Sequence, residues 1–182
     1  MFERDHAHVE FLRGIANPIG IKMGPSFDPA SLASLVLTLN PENSPGKIVL
    51  ITRLGAQRVV KFLPKFVQAA KEAQLNVIWC CDPMHGNTTL SKSGFKTRLF
   101  ENIFGEIVAT LQVHRELGSR LGGLHLELTG EDVTECIGGP QDIGDHDLHH
   151  RYTTYCDPRL NYAQSMEVAF LLASALAEQN KE

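Results

Sequence analysis

The sequence has no cysteine pair at CxxC spacing, no apolar run near transmembrane length, no surplus of positive charge and no Walker or dinucleotide-type glycine motif. Each absence closes a class. The four cysteines, Cys80, Cys81, Cys136 and Cys156, include two neighbours inside one apolar stretch, which argues for reduced thiols over a disulfide scaffold. A formal net charge of -4 gives no reason to expect nucleic acid or a membrane surface as partner. Met1 to His8 is too polar for a signal peptide. The expected location is therefore the cytoplasm, or a plastid in a plastid-bearing organism. Ser26, Thr88 and Ser165 stand in no nucleophile-elbow context with a nearby histidine, so Ser/His/Asp hydrolysis is unsupported.

What is present is a chain of 182 residues, 43% hydrophobic, sized for one domain over residues 1–182 with a real core. It repeats a strand and a helix in turn. The first expected strand is Ile19 to Met23, broken by Gly24-Pro25. Asp28 then caps a helix with Pro29 at its first position and Leu32, Leu35, Val36 and Leu39 on one face. Lys47 to Thr52 is the second strand, and Gln57 to Gln74 a helix interrupted at Pro64, with Val60, Leu63, Val67 and Ala70 inward. The third strand, Val77 to Cys81, is too short and too β-branched for a helix and stops at Asp82-Pro83; its two cysteines must point to opposite faces. A polar connection over Lys92 to Arg98 leads to a helix from Leu99 to Leu117, with Ile103, Ile107 and Leu111 inward and Gly118 at its end. Gly122 to Leu128 is the fourth strand, followed by a long polar loop from Thr129 to Asn161 and a last helix from Tyr162 to about Glu178. Such alternation predicts an α/β fold of parallel βα units.

One charged or coordinating residue follows each strand. Lys22, Arg53, His85 and Glu127 fall at successive strand ends, and Asp157 lies in the loop before the last helix. Functional residues gather on that rim in both open and barrel α/β folds. Lys22 and Arg53, beside Gly24 and Gly55, suit a phosphate or carboxylate; the plainer reading is two surface cations. His85, Glu127 and Asp157 make a ligand set for Mn²⁺, Fe²⁺, Co²⁺ or Zn²⁺. Taken singly, they read equally well as a loop histidine, a capping acid and a turn. His146, His149 and His150 read as a solvated, mobile segment among aspartates.

The stretches RGIANPIGIKMGPS, ITRLGAQRV, DPMHGNT, GGLHLELTGEDVTECIGG and YCDPRLNYAQSMEVAFLLA resemble the carboxyl-terminal half of the class II, plant and microbial, 3-deoxy-D-arabino-heptulosonate 7-phosphate (DAHP) synthases. The resemblance implies the second half of a TIM (β/α)8 barrel and the first step of the shikimate pathway to chorismate and the aromatic amino acids. In that step phosphoenolpyruvate, erythrose 4-phosphate and water give DAHP and phosphate. By the same resemblance Lys22 and Arg53 bind phosphoenolpyruvate, and His85, Glu127 and Asp157 hold Mn²⁺, with Co²⁺ as the alternative. Lys22 and His85 are then the expected catalytic residues, and His125 is a candidate for supporting the metal ligands. In the family the other half brings a cysteine metal ligand and further cationic contacts. The expectation is a chain that self-associates or pairs with an amino-terminal half-barrel chain. Two other readings stand beside it: a non-catalytic half-barrel acting as an interaction or regulatory module, and an unrelated metal-dependent lyase or hydrolase on an open sheet.

Overall fold

A helix precedes the first strand, a feature that the apolar pattern does not signal: α1 spans Ala7–Arg13 in the computed structural model, which describes residues 7–179. Strands β1 (Ile19–Met23), β2 (Ile48–Thr52) and β3 (Val77–Cys81) follow at the expected places. Asp28 caps a single 3-10 turn over Pro29–Ser31, accepting the Ala30 N–H at 3.1 Å, before α2 (Leu32–Leu39) begins.

The helix α3 (Val59–Glu72) runs through Pro64 without interruption. The carbonyl that Pro64 cannot satisfy belongs to Val60, on the exposed side of the helix, where solvent rather than core surrounds it. That exposure also corrects the expected inner face. Val59, Leu63, Phe66, Val67 and Ala70 are buried, and Val60 is not among them.

The polar connection after β3 is in fact a hairpin of β4 (Thr88–Leu90) and β5 (Lys96–Arg98), paired antiparallel with Thr88 opposite Arg98. Then come α4 (Phe100–Glu116), β6 (Leu121–Leu124) and α5 (Tyr162–Gln179). The last strand is shorter than the expected Gly122 to Leu128. Its partner sets that limit: Leu124 pairs with Cys81, the final residue of β3, and only the His125 N–H still reaches that strand, at the Cys81 carbonyl. Residues past Leu124 turn instead toward the last loop, where the Leu160 N–H meets the Glu127 carbonyl at 3.0 Å and Leu128 bridges Leu160.

The main sheet has the order β1-β2-β3-β6, every neighbour parallel. Ile19, Ile21, Met23, Ile48, Leu50 and Trp79 point to one side and form a core with α2 and α3. A second core joins α4 and α5 around Ile103, Ile107, Leu111 and Val168. On the other face Lys22 and Ile78 are exposed and Ile51 and Cys80 half-buried. Cys81, as the alternation requires, is buried on the helix side and accepts from Thr110 Oγ1 at 3.5 Å. Among the described residues nothing covers the Lys22 face. No helix among them is long and apolar enough to cross a membrane.

Candidate active site

Backbone hydrogen bonds build the rim before any side chain does. The residue just past each strand hangs on the last carbonyl of the strand before it: Arg53 N on Met23 O at 2.9 Å, Asp82 N on Thr52 O at 2.8 Å, and His125 N on Cys81 O at 2.8 Å. Arg53, Asp82 and His125 are thereby level with one another at the carboxyl end of the sheet, one layer beyond Lys22.

Three of the expected residues converge there. One ligand atom from each of His85, Glu127 and Asp157 lies within 4.8 Å of the other two. His85 Nε2 is 3.3 Å from Glu127 Oε1 and 3.7 Å from Asp157 Oδ2. The opposite nitrogen, Nδ1, sits 2.7 Å from Asp82 Oδ2. As a donor to that carboxylate it leaves Nε2 as a lone-pair donor facing the two acids.

The hairpin supplies the remaining electrostatics. Arg98, fully buried, donates from Nη1 to Glu127 Oε2 at 2.5 Å, and also to the Pro158 carbonyl, while its Nε donates to Thr88 Oγ1 at 3.1 Å. Lys96 pairs with Asp157 Oδ1. That hydrogen bond and the ammonium charge hold the Asp157 carboxyl below the usual carboxylate range. Each carboxylate therefore gives one oxygen to a hairpin cation and turns the other toward His85. One imidazole nitrogen and two carboxylate oxygens, oriented and partly neutralised, fit a divalent ion of the Mn²⁺ to Zn²⁺ series.

Asp157 is set in place from a distance by Glu135, which is fully buried. Its carboxylate accepts the N–H groups of Thr153 at 3.2 Å, Thr154 at 2.9 Å and Arg159 at 2.8 Å, and forms a two-pronged ion pair with the Arg159 guanidinium. Burial pushes the Glu135 carboxyl up, and those bonds to Arg159 and Thr153 more than offset it.

Lys22 and Arg53 line one cavity of about 560 Å³ with Gly24, Ser26 and Asp28. One carboxylate ties this cavity to the ligand cluster: Lys22 Nζ donates to Asp82 Oδ2, the oxygen that also holds His85. Asp82 is wholly buried and also accepts the N–H groups of Met84 at 3.0 Å and His85 at 3.1 Å. Burial pushes its carboxyl up, but the bonds from Lys22 and the His85 amide prevail and hold it low.

His125 stands with its ring centroid 6.4 Å from that of His85, a loose ring contact. The side chains of His146 and His150 are exposed beside Asp147, at 3.5 and 3.7 Å, outside the metal-type cluster. Their loop is nevertheless anchored, since Asp145 accepts the N–H groups of Lys92 at 2.8 Å and Ser93 at 3.1 Å.

Beneath the rim two glycines press backbone on backbone. A Cβ on Gly86 would lie 2.4 Å from Gly55 N, and one on Gly55, whose φ is +87°, would lie 2.7 Å from Gly86 O. Gly86→Ala is expected to cost about 3 kcal/mol or more in urea unfolding, since the obstacle is main chain and cannot rotate away. A loss under about 1 kcal/mol would show that the two loops part freely.

Glu106, buried in α4, holds these same loops. Burial raises its carboxyl from 4.5 to about 7 against the hydrogen bonds from Leu54, Gly55 and Asn87. In the unfolded chain the group ionises first as pH rises. It therefore costs nothing below about pH 4.5 and its full penalty, about 3 kcal/mol, above about pH 7. Unfolding free energies at pH 5 and pH 8 are expected to differ less in Glu106→Gln than in the wild type; equal differences would refute the raised ionisation.

The family model described as the Class-II DAHP synthetase family matches residues 2–173. A phospho-2-dehydro-3-deoxyheptonate aldolase of Neurospora crassa is 51% identical over 98% of this chain and 37% of its own length. Proteins of the same description from Mycolicibacterium smegmatis and Streptomyces coelicolor are 50% and 47% identical, each over 96% of this chain and over 38% and 39% of their own lengths. The chain thus spans well under half the length of these relatives. An unrelated lyase or hydrolase on an open sheet is set aside by matches of this extent, and the chain belongs to the class-II DAHP synthetase family.

Proposed function

We propose that this chain carries the metal-holding and phosphoenolpyruvate-holding side of a DAHP synthase site, as the second half of a (β/α)8 barrel. The reaction joins phosphoenolpyruvate, erythrose 4-phosphate and water into DAHP and phosphate. The observation that carries the reading is Asp82, one buried carboxylate that grips Lys22 of the anion cavity and His85 of the ligand cluster.

His85, Glu127 and Asp157 would hold the ion, Mn²⁺ first and Co²⁺ second. When bound, it supplies Lewis-acid polarisation of the aldehyde oxygen. Lys22 spends one of its three ammonium donors on Asp82 and offers the rest to phosphate or carboxylate. Arg53 adds a planar fork that grips an oxyanion in two places. Together they neutralise phosphoenolpyruvate and aim its carbon-3 toward the aldehyde, while water adds at carbon-2 and phosphate leaves by C–O cleavage.

The uncovered face that bears Lys22, Ile51, Ile78 and Cys80 is the side on which an amino-terminal half-barrel chain, or a second copy, would close the pocket. The same exposure favours the second reading, an interaction module that binds only metal or anions. Phosphate release from phosphoenolpyruvate with Mn²⁺ separates them, measured on the chain alone and mixed with a separately expressed amino-terminal half of a relative. Release that requires erythrose 4-phosphate supports the synthase. A folded, assembled and silent mixture refutes it and leaves the module.

A further inference from the structure

Arg53 and His85 lie on two separate loops, and one side chain outside both of them touches each. Glu106 Oε1 accepts the Leu54 N–H at 2.9 Å, in the residue after Arg53. Its Oε2 accepts from Asn87 Nδ2 at 2.7 Å, two residues after His85. Asn87 passes the connection on. It donates to the Pro83 carbonyl at 2.8 Å, closing the turn around His85, and its Oδ1 accepts the Ala56 N–H at 3.0 Å, returning to the Arg53 loop. The Gly55 and Gly86 backbones meet within this ring of bonds. Glu106 touches neither the Lys22 cavity nor the ligand atoms.

We propose that Glu106, acting through Asn87, is a positioning residue that sets the His85 loop against the Arg53 loop and so fixes where the imidazole meets Glu127 and Asp157. The proposal rests on the metal reading given above and deepens it. Its chemistry is one of polarity. Ionised, as it is above about pH 7, Glu106 accepts through both oxygens, and Asn87 already uses its amide on Pro83 and Glu106 and its oxygen on Ala56. A glutamine at 106 keeps an oxygen for Leu54 but sets its NH₂ against the NH₂ of Asn87. Flipping Asn87 would only move the conflict to Ala56 and Pro83.

The test uses Glu106→Gln, Asn87→Ala to cut the same connection from its other end should the first variant not fold, and Thr110→Val as a control. Thr110 is buried in α4 and donates to the Cys81 thiol of β3, not to a side chain or backbone group of either loop. Two readouts are taken: Mn²⁺ affinity by electron paramagnetic resonance, and the His85 ring resonances in protein without metal. Both strut variants are expected to lose about 10- to 100-fold in Mn²⁺ affinity and to move the His85 resonances, while Thr110→Val lowers the melting temperature and leaves both readouts in place. Wild-type resonances and affinity in the strut variants overturn the proposal. A wild type that binds no Mn²⁺ overturns the metal reading instead; the His85 resonances then decide alone, a shift supporting the strut and no shift overturning it.

Discussion

Replacement of His85 by alanine is expected to lower Mn²⁺ affinity by at least about 100-fold, more than loss of an outer partner costs. The reason lies in what remains. Glu127 is already paired with Arg98 and Asp157 with Lys96. Without the imidazole the cluster is two carboxylates and two cations, close to neutral, with no net attraction for a dication. The Nε2 lone pair adds a donor and brings no opposing charge. Titration of free Mn²⁺ by its paramagnetic signal gives the answer directly, and an affinity within about threefold of wild type would remove His85 from the ligand set.

Asp82→Ala is expected to act on metal, anion and stability together. Lys22 loses its tether, His85 loses the acceptor that fixes its tautomer, and the Met84 and His85 amides lose their partner. The unfolding free energy should fall by about 3 kcal/mol, and Mn²⁺ affinity by about 10- to 100-fold. The pH dependence follows from the sign of the shift. The Asp82 carboxyl is held below its ordinary 3.8, so its contribution is fully present above that value and fades as pH falls through the folded value. Urea curves of wild type and variant should differ by a constant amount near neutrality and converge in acid. A variant that loses stability but keeps wild-type affinities for both Mn²⁺ and phosphoenolpyruvate would make Asp82 a purely structural group.

The parts of the fold that could be read in advance are those with period and length. β1, β2 and β3 are apolar runs ended by Gly-Pro, Gly or Asp-Pro, and α4 and α5 hold their pattern over several turns. The hairpin could not be seen because two strands of three residues show no period, and because Lys96 and Arg98 read as solvent-facing polarity. Only the fold reveals that Arg98 is fully buried. His85, Glu127 and Asp157 were legible as residues that follow strands or break a loop. Their supports were not. Asp82 reads in sequence only as a strand terminator, and Glu106 and Glu135, which drew no reading, are one polar position on a helix and one acid in a long loop. A buried carboxylate is recognised by the N–H groups that converge on it, and those come from residues up to 60 positions away.

The sheet order β1-β2-β3-β6 is also the order in which its strands leave the ribosome. Each new βα unit finds its partner at the edge made just before it, so growth needs no earlier strand to be displaced and no distant edge to be found. Pairings between consecutive units keep the loops to be closed short and the entropic barrier to each addition low. A sheet assembled in this way can be nucleated before its last helix exists, and its exposed edge at every stage is also the template for the next strand.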